Sequence, residues 1–192
     1  MGHKLPESYY LQADVVAIAK DLIGKRICTQ INGIYTSGLI SETEAYAGET
    51  DKASHAYGGR YTVRTKPMFA QGGIAYVYLC YGIHHLFNVV TNHDGIPHAV
   101  LIRAIKPEKG VEYMLERRNF RSQKGLADGP GKTSKALGIS THHNGLSLLE
   151  NEIWIEDMGI EIPDSQIQIG PRIGIDYAEE DKDLPYRFLW KG

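Results

Sequence analysis

The segment SETEAYAG, residues 41–48, brings two carboxylates and a phenol close together. Its residue types predict a β-strand, and alternate side chains of a strand point to the same face of the sheet. Glu42, Glu44 and Tyr46 are therefore expected on one face. A carboxylate held there could deprotonate a water molecule or stabilise a developing positive charge. A solvated strand residue explains Glu44 equally well from this pattern alone.

A second candidate is the segment YVYLCYGIHHLFNVV, residues 76–90, which predicts two strands joined around Tyr81-Gly82-Ile83. If the chain turns near Gly82, Tyr81 and Ile83 lie at an exposed hairpin tip. Large apolar side chains are unfavourable at a tip unless they enter a partner, and proteins that distort duplex DNA insert such wedges between base steps. The pattern alone favours the alternative, in which this pair lies in the core and the tyrosines only pack.

Other motifs exclude several kinds of chemistry. GPGKTS, residues 129–134, fails the P-loop spacing because position 126 is Leu rather than Gly. Its glycines and lysine at a helix N-terminus could still bind a phosphate, although an ordinary helix start explains them as well. The histidines do not fall at metal-ligand spacings, and there is no nucleophile motif of the GxSxG type. We therefore expect no metal site and no covalent serine or cysteine chemistry.

Positive charge is concentrated in two places, although the net charge is −2. One cluster contains Arg60, Arg64 and Lys66. The other contains Arg117, Arg118, Arg121, Lys124 and Lys132. Residues 149–183 hold 11 of the 23 acidic residues and only two basic ones, Arg172 and Lys182. A local basic face can bind phosphates while an acidic segment sets the total charge, but charge alone favours a merely solvated surface.

Apolar periodicity and turn residues predict the elements that must position these side chains. The predicted helices are 12–23, 108–119 and one that begins in GPGKTSKALGI; the predicted strands are a hairpin around Asn32-Gly33, then 74–82, 86–92, 98–105, 153–156, 167–170, 172–175 and 186–190. Residues 47–73 read as a long loop, a type of segment that is often functional. Helices and strands do not alternate regularly, which favours a mostly antiparallel α+β domain.

Length and composition bound the class of protein. A chain of 192 residues can bury one sizeable core, so we expect one domain over residues 1–192. No apolar run reaches the roughly 18 residues of a membrane span, and the N-terminus lacks the apolar stretch of a signal peptide. Cys28 and Cys80 are too few for a disulfide framework, so a cytoplasmic protein is expected.

Six stretches carry a resemblance to a known family. They are ETEAYAG (42–48), ASHAYGGRYTVRTKPMF (53–69), AYVYLCYGIHHLFNVVT (75–91), HAVLIRAIKPEKG (98–110), GPGKTSKALGI (129–139) and GPRIGIDYAEEDKDLPYRF (170–188). In this order they resemble the alkyladenine (3-methyladenine) DNA glycosylase family of bacterial type, and they span most of the chain. The resemblance implies a single compact α+β domain with a curved, mostly antiparallel sheet, flanking helices and a protruding β-hairpin that inserts into DNA.

The resemblance also assigns roles to individual residues. Glu44 matches the catalytic carboxylate that activates water, and Arg103 matches the partner that holds the water and keeps Glu44 ionised. The matches to groups that bind the extruded base are Tyr46, His55 and Tyr78, which stack on it, and Asn88, which obstructs the 2-amino group of guanine. Those expected at the DNA are Tyr81 as the wedge, Ile83 beside it, and Arg60, Arg64, Lys66 and Lys132 at phosphates. Glu42 is expected to form a structural ion pair.

The function implied is DNA base-excision repair without a cofactor or metal. Alkylated or deaminated purines of the 3-methyladenine, 7-methylguanine, hypoxanthine and ethenoadenine class would be flipped out of the duplex and released by water attack, leaving an abasic site. No lyase activity is expected, because no lysine falls at a matched active-site position. The expected partner is double-stranded DNA containing damaged purines, bound by a monomer associated with the nucleoid. Two alternatives are a non-catalytic damaged-DNA-binding protein and a hydrolase of free nucleosides.

Overall fold

The computed structural model describes residues 2–192, and nine strands in that range form one open, antiparallel sheet. The strands are β1 (His3–Lys4), β2 (Arg26–Ile31), β3 (Ile34–Tyr46), β4 (Ala75–Cys80), β5 (His84–Thr91), β6 (His98–Lys109), β7 (Ile153–Asp157), β8 (Ile167–Gly170) and β9 (Arg187–Trp190). Their order is β1-β7-β2-β3-β6-β5-β4, and β9 pairs with both β3 and β8. The predicted α+β class and antiparallel sheet are confirmed.

Helices cover the sheet and close its core. They are α1 (Glu7–Tyr10), α2 (Val15–Asp21), α3 (Val111–Arg118) and α4 (Pro130–Leu137), with 3₁₀ turns at Gly48–Thr50, Tyr57–Gly59, Lys66–Phe69, Thr141–His143, Asp164–Gln166 and Asp176–Asp183. The Asp14 side chain caps α2 by accepting hydrogen bonds from the amides of Val16 and Ala17. The core side chains with almost no exposed surface include Tyr10, Ile18, Leu22, Ile27, Ile40, Phe87, Ile102, Met114, Leu126 and Leu137. Within residues 2–192 no helix is long and apolar enough to cross a bilayer.

Strand β3 is the central element, because three other strands pair with it. Its first half pairs with β2, and β9 takes over that edge at Glu42–Glu44, while β6 pairs along the other edge. The register with β6 shifts on both sides of Glu42, which marks an irregularity of the bulge type. Thr43 donates a hydrogen bond to the Ala19 carbonyl of α2 at 2.7 Å, so the flanking carboxylates point away from that helix.

Both predicted hairpins are present. Asn32 and Gly33 join β2 to β3 with positive φ angles of 53° and 78°, as a primed hairpin turn requires. Tyr81 and Gly82 do the same between β4 and β5, with φ of 51° and 73°. A positive φ at a tyrosine is sterically unfavourable, so the turn holds Tyr81 in a conformation that local preference alone would not select.

Two expectations about elements were wrong. Residues 172–175 form no strand but a turn in which Arg172 and Ile175 are buried. The Arg172 guanidinium donates to the Ala45 carbonyl and the Ile173 backbone N–H donates to the Glu44 carboxylate, so these groups do not pair with a neighbouring strand. The helix predicted at 108–119 begins only at Val111, because β6 continues pairing with β3 as far as Lys109. The first error concerns the site directly.

Candidate active site

Glu44 is wholly buried and its carboxylate is held by three donors. Its Oε1 accepts a hydrogen bond from the Ile173 backbone N–H at 2.8 Å and lies 3.2 Å from Nη1 of Arg103. The hydroxyl of Tyr46 donates to Oε2 at 2.8 Å. Two of these donors, on Arg103 and Ile173, come from segments distant in sequence and the third lies two residues along the same strand; together they fix the orientation of the carboxylate. The solvated-strand explanation of Glu44 is therefore wrong.

Arg103 joins the two glutamates of the opening segment. Its Nε donates to Glu42 Oε1 at 2.9 Å, and Arg187 of β9 donates to the same oxygen at 2.5 Å. The expected ion pair of Glu42 is confirmed. Burial acts to lower the pKa of Arg103, but the Glu44 and Glu42 carboxylates outweigh it and leave that pKa above its ordinary value. Arg103 therefore stays cationic beside Glu44.

A cavity of about 240 Å³ opens next to this ion-pair cluster. Its lining contains all four residues assigned to the base, which are Tyr46, His55, Tyr78 and Asn88. It also contains Arg103, the assigned partner of Glu44, and Tyr81 and Arg64 from the residues assigned to DNA, whereas Glu44 and Ile83 are not part of the lining. Its volume is below the roughly 300–1,000 Å³ common for pockets that take drug-sized ligands, so it suits one small planar group. A larger cavity of about 730 Å³ lies elsewhere, between residues 3–12 and 157–159, and contains no predicted site residue.

Aromatic rings form one wall of this cavity. The His55 and Tyr78 rings meet edge to face with centroids 4.7 Å apart, and Tyr76 packs beside Tyr78 at 5.4 Å. Tyr76 is not among the predicted site residues, yet its hydroxyl lies 2.9 Å from His55 Nδ1 and fixes that ring. Burial, with help from Arg64 and Arg60, lowers the pKa of His55 to about 4. The imidazole is therefore neutral at pH 7.

Tyr46 and Tyr78 are neutral phenols. Burial raises the pKa of Tyr46 well above its ordinary value, and the adjacent Glu44 carboxylate raises it further. Burial also raises the pKa of Tyr78. Tyr46 therefore acts as a hydrogen-bond donor to Glu44, and the cavity walls carry neutral rings.

Asn88 is buried at the end of the cavity and is held by its own hairpin. Its Nδ2 donates to the Tyr76 carbonyl at 3.1 Å and to the Leu86 carbonyl at 3.4 Å. With both N–H groups directed to the backbone, the side-chain carbonyl is the group left to meet a ligand.

In the first basic cluster, Arg64 lines the cavity and Arg60 lies in a cleft that adjoins it. The Arg64 guanidinium is 4.9 Å from the Tyr78 ring centroid and 3.3 Å from His55 Nε2. Arg60 and Arg64 also line an adjoining cleft of about 510 Å³ that shares His55 and Tyr177 with the cavity. Among residues 2–192, Arg60, Arg64 and Lys66 form no ion pair with a carboxylate. Their charges are available to an external anion.

Three residues of the second basic cluster are already bonded within the protein. Arg117 donates to the Ala136 carbonyl at 2.9 Å and Arg118 to the Leu126 carbonyl at 3.2 Å. Lys132 lies in the first turn of α4, as predicted, and pairs with Asp128 at 2.7 Å. The Thr133 hydroxyl of the same motif donates to the Arg103 carbonyl at 3.0 Å, so the GPGKTS segment supports β6 behind the site.

Tyr81 and Ile83 are 90% and 71% exposed at the tip of the β4–β5 hairpin. The alternative that placed them in the core is wrong. Such exposure of two large apolar side chains beside the cavity is unusual for a surface that only meets water, where exposed apolar patches mark interaction sites.

Sequence reasoning missed Arg172 and Asp51. They form a bidentate ion pair with no exposed side-chain surface, directly behind Tyr46. The stretch that holds Arg172 was read as a strand, so its side chain was given no role. A sequence signal existed, since an arginine within an otherwise apolar run needs a buried partner.

Comparison with known proteins gives a consistent family match. The model of the methylpurine-DNA glycosylase (MPG) family matches residues 9–192. A relative from Chlamydia felis (strain Fe/C-56) is 52% identical over 187 residues, covering 96% of this chain and 95% of the relative. A Chlamydia pneumoniae relative is 48% identical, with 96% and 94% covered, and one from Bacillus cereus (strain AH820) is 45% identical, with 97% and 95% covered. All three carry the name "Putative 3-methyladenine DNA glycosylase".

Proposed function

This chain belongs to the methylpurine-DNA glycosylase family, and we propose that it hydrolyses the N-glycosidic bond of damaged purines in duplex DNA. The observation that carries the proposal is the buried Glu44 carboxylate, paired with Arg103 at the side of an aromatic cavity. The substrates proposed are alkylated or deaminated purines of the 3-methyladenine, 7-methylguanine, hypoxanthine and ethenoadenine class. The names of the relatives support the first of these.

The cavity and the hairpin together support a base-flipping route. A base inside a duplex cannot reach a buried carboxylate, so the nucleotide has to leave the stack at a cost of a few kcal/mol. Tyr81 at the hairpin tip is placed to fill the space that the base vacates, with Ile83 beside it. Arg64 in the cavity lining, Arg60 in the adjoining cleft and Lys66 of the same cluster would bind the phosphates on either side of the extruded nucleotide.

The pocket would recognise the base mainly by shape and stacking. Stacking on an aromatic ring contributes about 1–3 kcal/mol per base and accepts different purines, which fits a broad lesion range. Tyr46, His55 and Tyr78 supply the rings. A purine alkylated at N3 or N7 is cationic, and neutral electron-rich rings attract such a cation. Asn88, held in place by its bonds to the Tyr76 and Leu86 carbonyls, would leave no space for the 2-amino group of undamaged guanine.

Glu44 would act at the sugar. Loss of the base gives the sugar oxocarbenium character, which a nearby carboxylate stabilises while it orients and deprotonates the attacking water. The bond that breaks joins C1′ to the purine nitrogen, and the bond that forms joins C1′ to the water oxygen. Glu44 takes the water proton, and the purine leaves with the bonding electrons. A cationic purine leaves as a neutral base without further protonation. A neutral lesion such as hypoxanthine has to take up a proton from solvent as it leaves, because His55 is neutral at pH 7 and holds no extra proton to give.

The product would be an abasic site with the strand intact. A lyase reaction needs an amine at the sugar, and no lysine lines the cavity within residues 2–192. We propose that one copy of the chain acts alone on one lesion.

The test is single-turnover base release from duplexes that contain one hypoxanthine or one N7-alkylated purine. The native protein, Glu44→Gln and the matched surface variant Glu161→Gln would be compared, and products would be resolved with and without alkali. We expect release by the native protein and Glu161→Gln, strand breaks only after alkali, and a loss of about 10²–10⁴-fold in Glu44→Gln. Equal activity on free nucleosides would point to a nucleoside hydrolase, and retained lesion binding without release would point to a non-catalytic binder.

A further inference from the structure

The buried pair of Arg172 and Asp51 is an unusual structure to find beside an active site. Arg172 Nη1 lies 2.5 Å from Asp51 Oδ2, and Nη2 lies 2.8 Å from Oδ1, with both side chains fully buried. Burying two charges costs desolvation free energy that their attraction often only offsets, so a buried pair is weak evidence for a gain in stability. The atoms that the pair holds in place indicate its role better.

Arg172 holds the end of β3 that carries the catalytic carboxylate. Its Nη1 also donates to the carbonyl of Ala45, the residue between Glu44 and Tyr46, at 2.9 Å. Its guanidinium lies between two rings, with its central carbon 4.9 Å from the Tyr46 centroid and 5.2 Å from the Tyr186 centroid. The next residue, Ile173, supplies the backbone N–H that Glu44 accepts. One side chain therefore fixes both the ring and the backbone donor that contact Glu44.

Asp51 extends the same structure toward the base pocket. Its Oδ2 accepts a hydrogen bond from the Ala47 amide at 2.9 Å, and its Oδ1 accepts one from the Ala53 amide at 3.0 Å. These bonds fix the turn that leads from β3 to His55. The Nη2 of Arg172 additionally donates to the Asp181 carbonyl at 3.2 Å. The pair thus joins the end of β3, the loop after it and the C-terminal segment.

We propose that Arg172 and Asp51 are positioning residues for base release: their ion pair holds Glu44, Tyr46 and the His55 loop in the reactive arrangement. This inference rests on the proposed glycosylase function. Neither residue touches the reacting atoms, and both act through the groups that they hold. A displacement of about 1 Å can cost about a hundredfold in rate, so a loosened arrangement lowers turnover even in a folded protein. A lysine is no substitute, since it lacks the planar fork that bonds bidentately and stacks between rings.

The experiment separates positioning from folding by removing both charges at once. Replacing a buried ion pair with neutral groups is often tolerated, whereas removing one partner leaves an uncompensated buried charge. The test variant is therefore the double substitution Asp51→Asn with Arg172→Met. The control is Arg26→Met with Glu108→Gln, which removes another bidentate pair, on β2 and β6, that no step of the proposed reaction uses. Thermal unfolding would be measured for each variant. The single-turnover rate of hypoxanthine release would be measured at increasing protein concentration, which gives a plateau rate and the concentration at half-saturation.

We expect the test variant to unfold cooperatively. The protein concentration that gives half of its plateau rate should lie within about threefold of the native value, while the plateau rate itself should fall at least about tenfold. The control should keep the native plateau rate. The single variant Arg172→Lys, which keeps the positive charge, should also have a plateau rate below that of the native protein. A native plateau rate in the test variant, or full activity of Arg172→Lys, would overturn the proposal. Absence of release by the native protein would instead contradict the proposed function.

A second pair of variants covers the case in which the double variant fails to fold. Tyr186→Leu removes one of the two rings that hold the guanidinium, and Tyr186→Phe keeps that ring. Neither variant removes a charge. We expect a plateau rate several-fold lower for Tyr186→Leu than for Tyr186→Phe, with equal half-saturation. Equal plateau rates would overturn the proposal.

Discussion

The hydroxyl of Tyr46 donates a hydrogen bond to Oε2 of Glu44 at 2.8 Å, and the ring of the same residue lines the aromatic cavity. One side chain therefore touches both halves of the proposed reaction, the sugar side through its hydroxyl and the base side through its ring. Because burial and Glu44 raise the pKa of Tyr46, the hydroxyl keeps its proton across the neutral range. This makes the two contributions separable by substitution.

Tyr46→Phe should lower the plateau rate of base release without weakening base binding. The variant keeps the ring and loses the donor to Glu44, and a hydrogen bond to a charged group contributes about 1.5–3 kcal/mol, or roughly ten- to hundredfold in rate. Tyr46→Leu should in addition weaken seating of the base. Single-turnover release gives the plateau, and the fluorescence of a duplex with ethenoadenine reports base seating. If Tyr46→Phe weakened binding of the base in the cavity and left the plateau rate unchanged, this division of roles would be wrong.

Arg103→Met should destabilise the fold as well as abolish turnover. The substitution leaves Glu44 buried without its cation and leaves Glu42 with Arg187 alone. Removal of one partner from a buried ion pair costs about 3–5 kcal/mol in the free energy of unfolding. Urea denaturation measures it, and Lys132→Met is the control, because its exposed pair with Asp128 contributes at most about 1 kcal/mol. Similar losses in the two variants would show that the Arg103 cluster is not tightly coupled.

Tyr81→Ala should leave the fold unchanged and still impair action on duplex DNA. The side chain is 90% exposed, and exposed substitutions usually change the free energy of unfolding by no more than about 0.5 kcal/mol. Without the wedge the vacated space stays unfilled, so the flipped state becomes less populated. The measurement is single-turnover release from a paired lesion and from the same lesion in single-stranded DNA. We expect a much larger loss for the paired substrate, and equal losses would contradict the wedge role.

Much of the sheet could be predicted because its signals are local. The Asn32-Gly33 turn and the shared face of Glu42, Glu44 and Tyr46 depend only on neighbouring residues, and both are present. The pair of Glu44 with Arg103 came from resemblance, since no local pattern states which arginine of the chain meets which carboxylate. The bond from Ile173 to Glu44 spans 129 positions and uses a backbone amide, so residue types carry no trace of it. The wrong prediction of a strand at 172–175 has the same cause. The apolar residues there are typical of a strand, but the contact of Arg172 with Asp51 spans 121 positions and leaves no local signal.

Acid should destabilise the protein partly through His55. The pKa of His55 is lowered to about 4 in the folded protein, mainly by burial, whereas an unfolded histidine titrates near about 6.5. A depressed folded-state pKa contributes stability that is fully present above about pH 6.5 and is lost as pH falls toward 4, because the unfolded chain binds the proton first. His55→Gln should therefore lose less of its free energy of unfolding than the native protein between pH 6.5 and 4.

The same pKa can be measured directly by NMR titration of the imidazole. Arg64→Ala should raise the pKa of His55, because the Arg64 charge contributes to lowering it. Lys66→Ala is the matched control. A His55 pKa that stayed at the native value in Arg64→Ala would show that Arg64 does not rest against the ring in solution.

The two basic clusters should differ in how salt affects DNA binding. Each phosphate contact contributes close to one unit to the slope of log affinity against log salt concentration. Arg60→Ala and Arg64→Ala should each reduce that slope by about one, because neither arginine has a carboxylate partner among residues 2–192 and both line the cleft that adjoins the cavity. Lys132 must exchange Asp128 for a phosphate to contribute, so Lys132→Ala should change the slope less. Fluorescence anisotropy with a lesion duplex from low to moderate salt gives all three slopes. A larger change for Lys132→Ala than for Arg64→Ala would move the principal phosphate contact to α4.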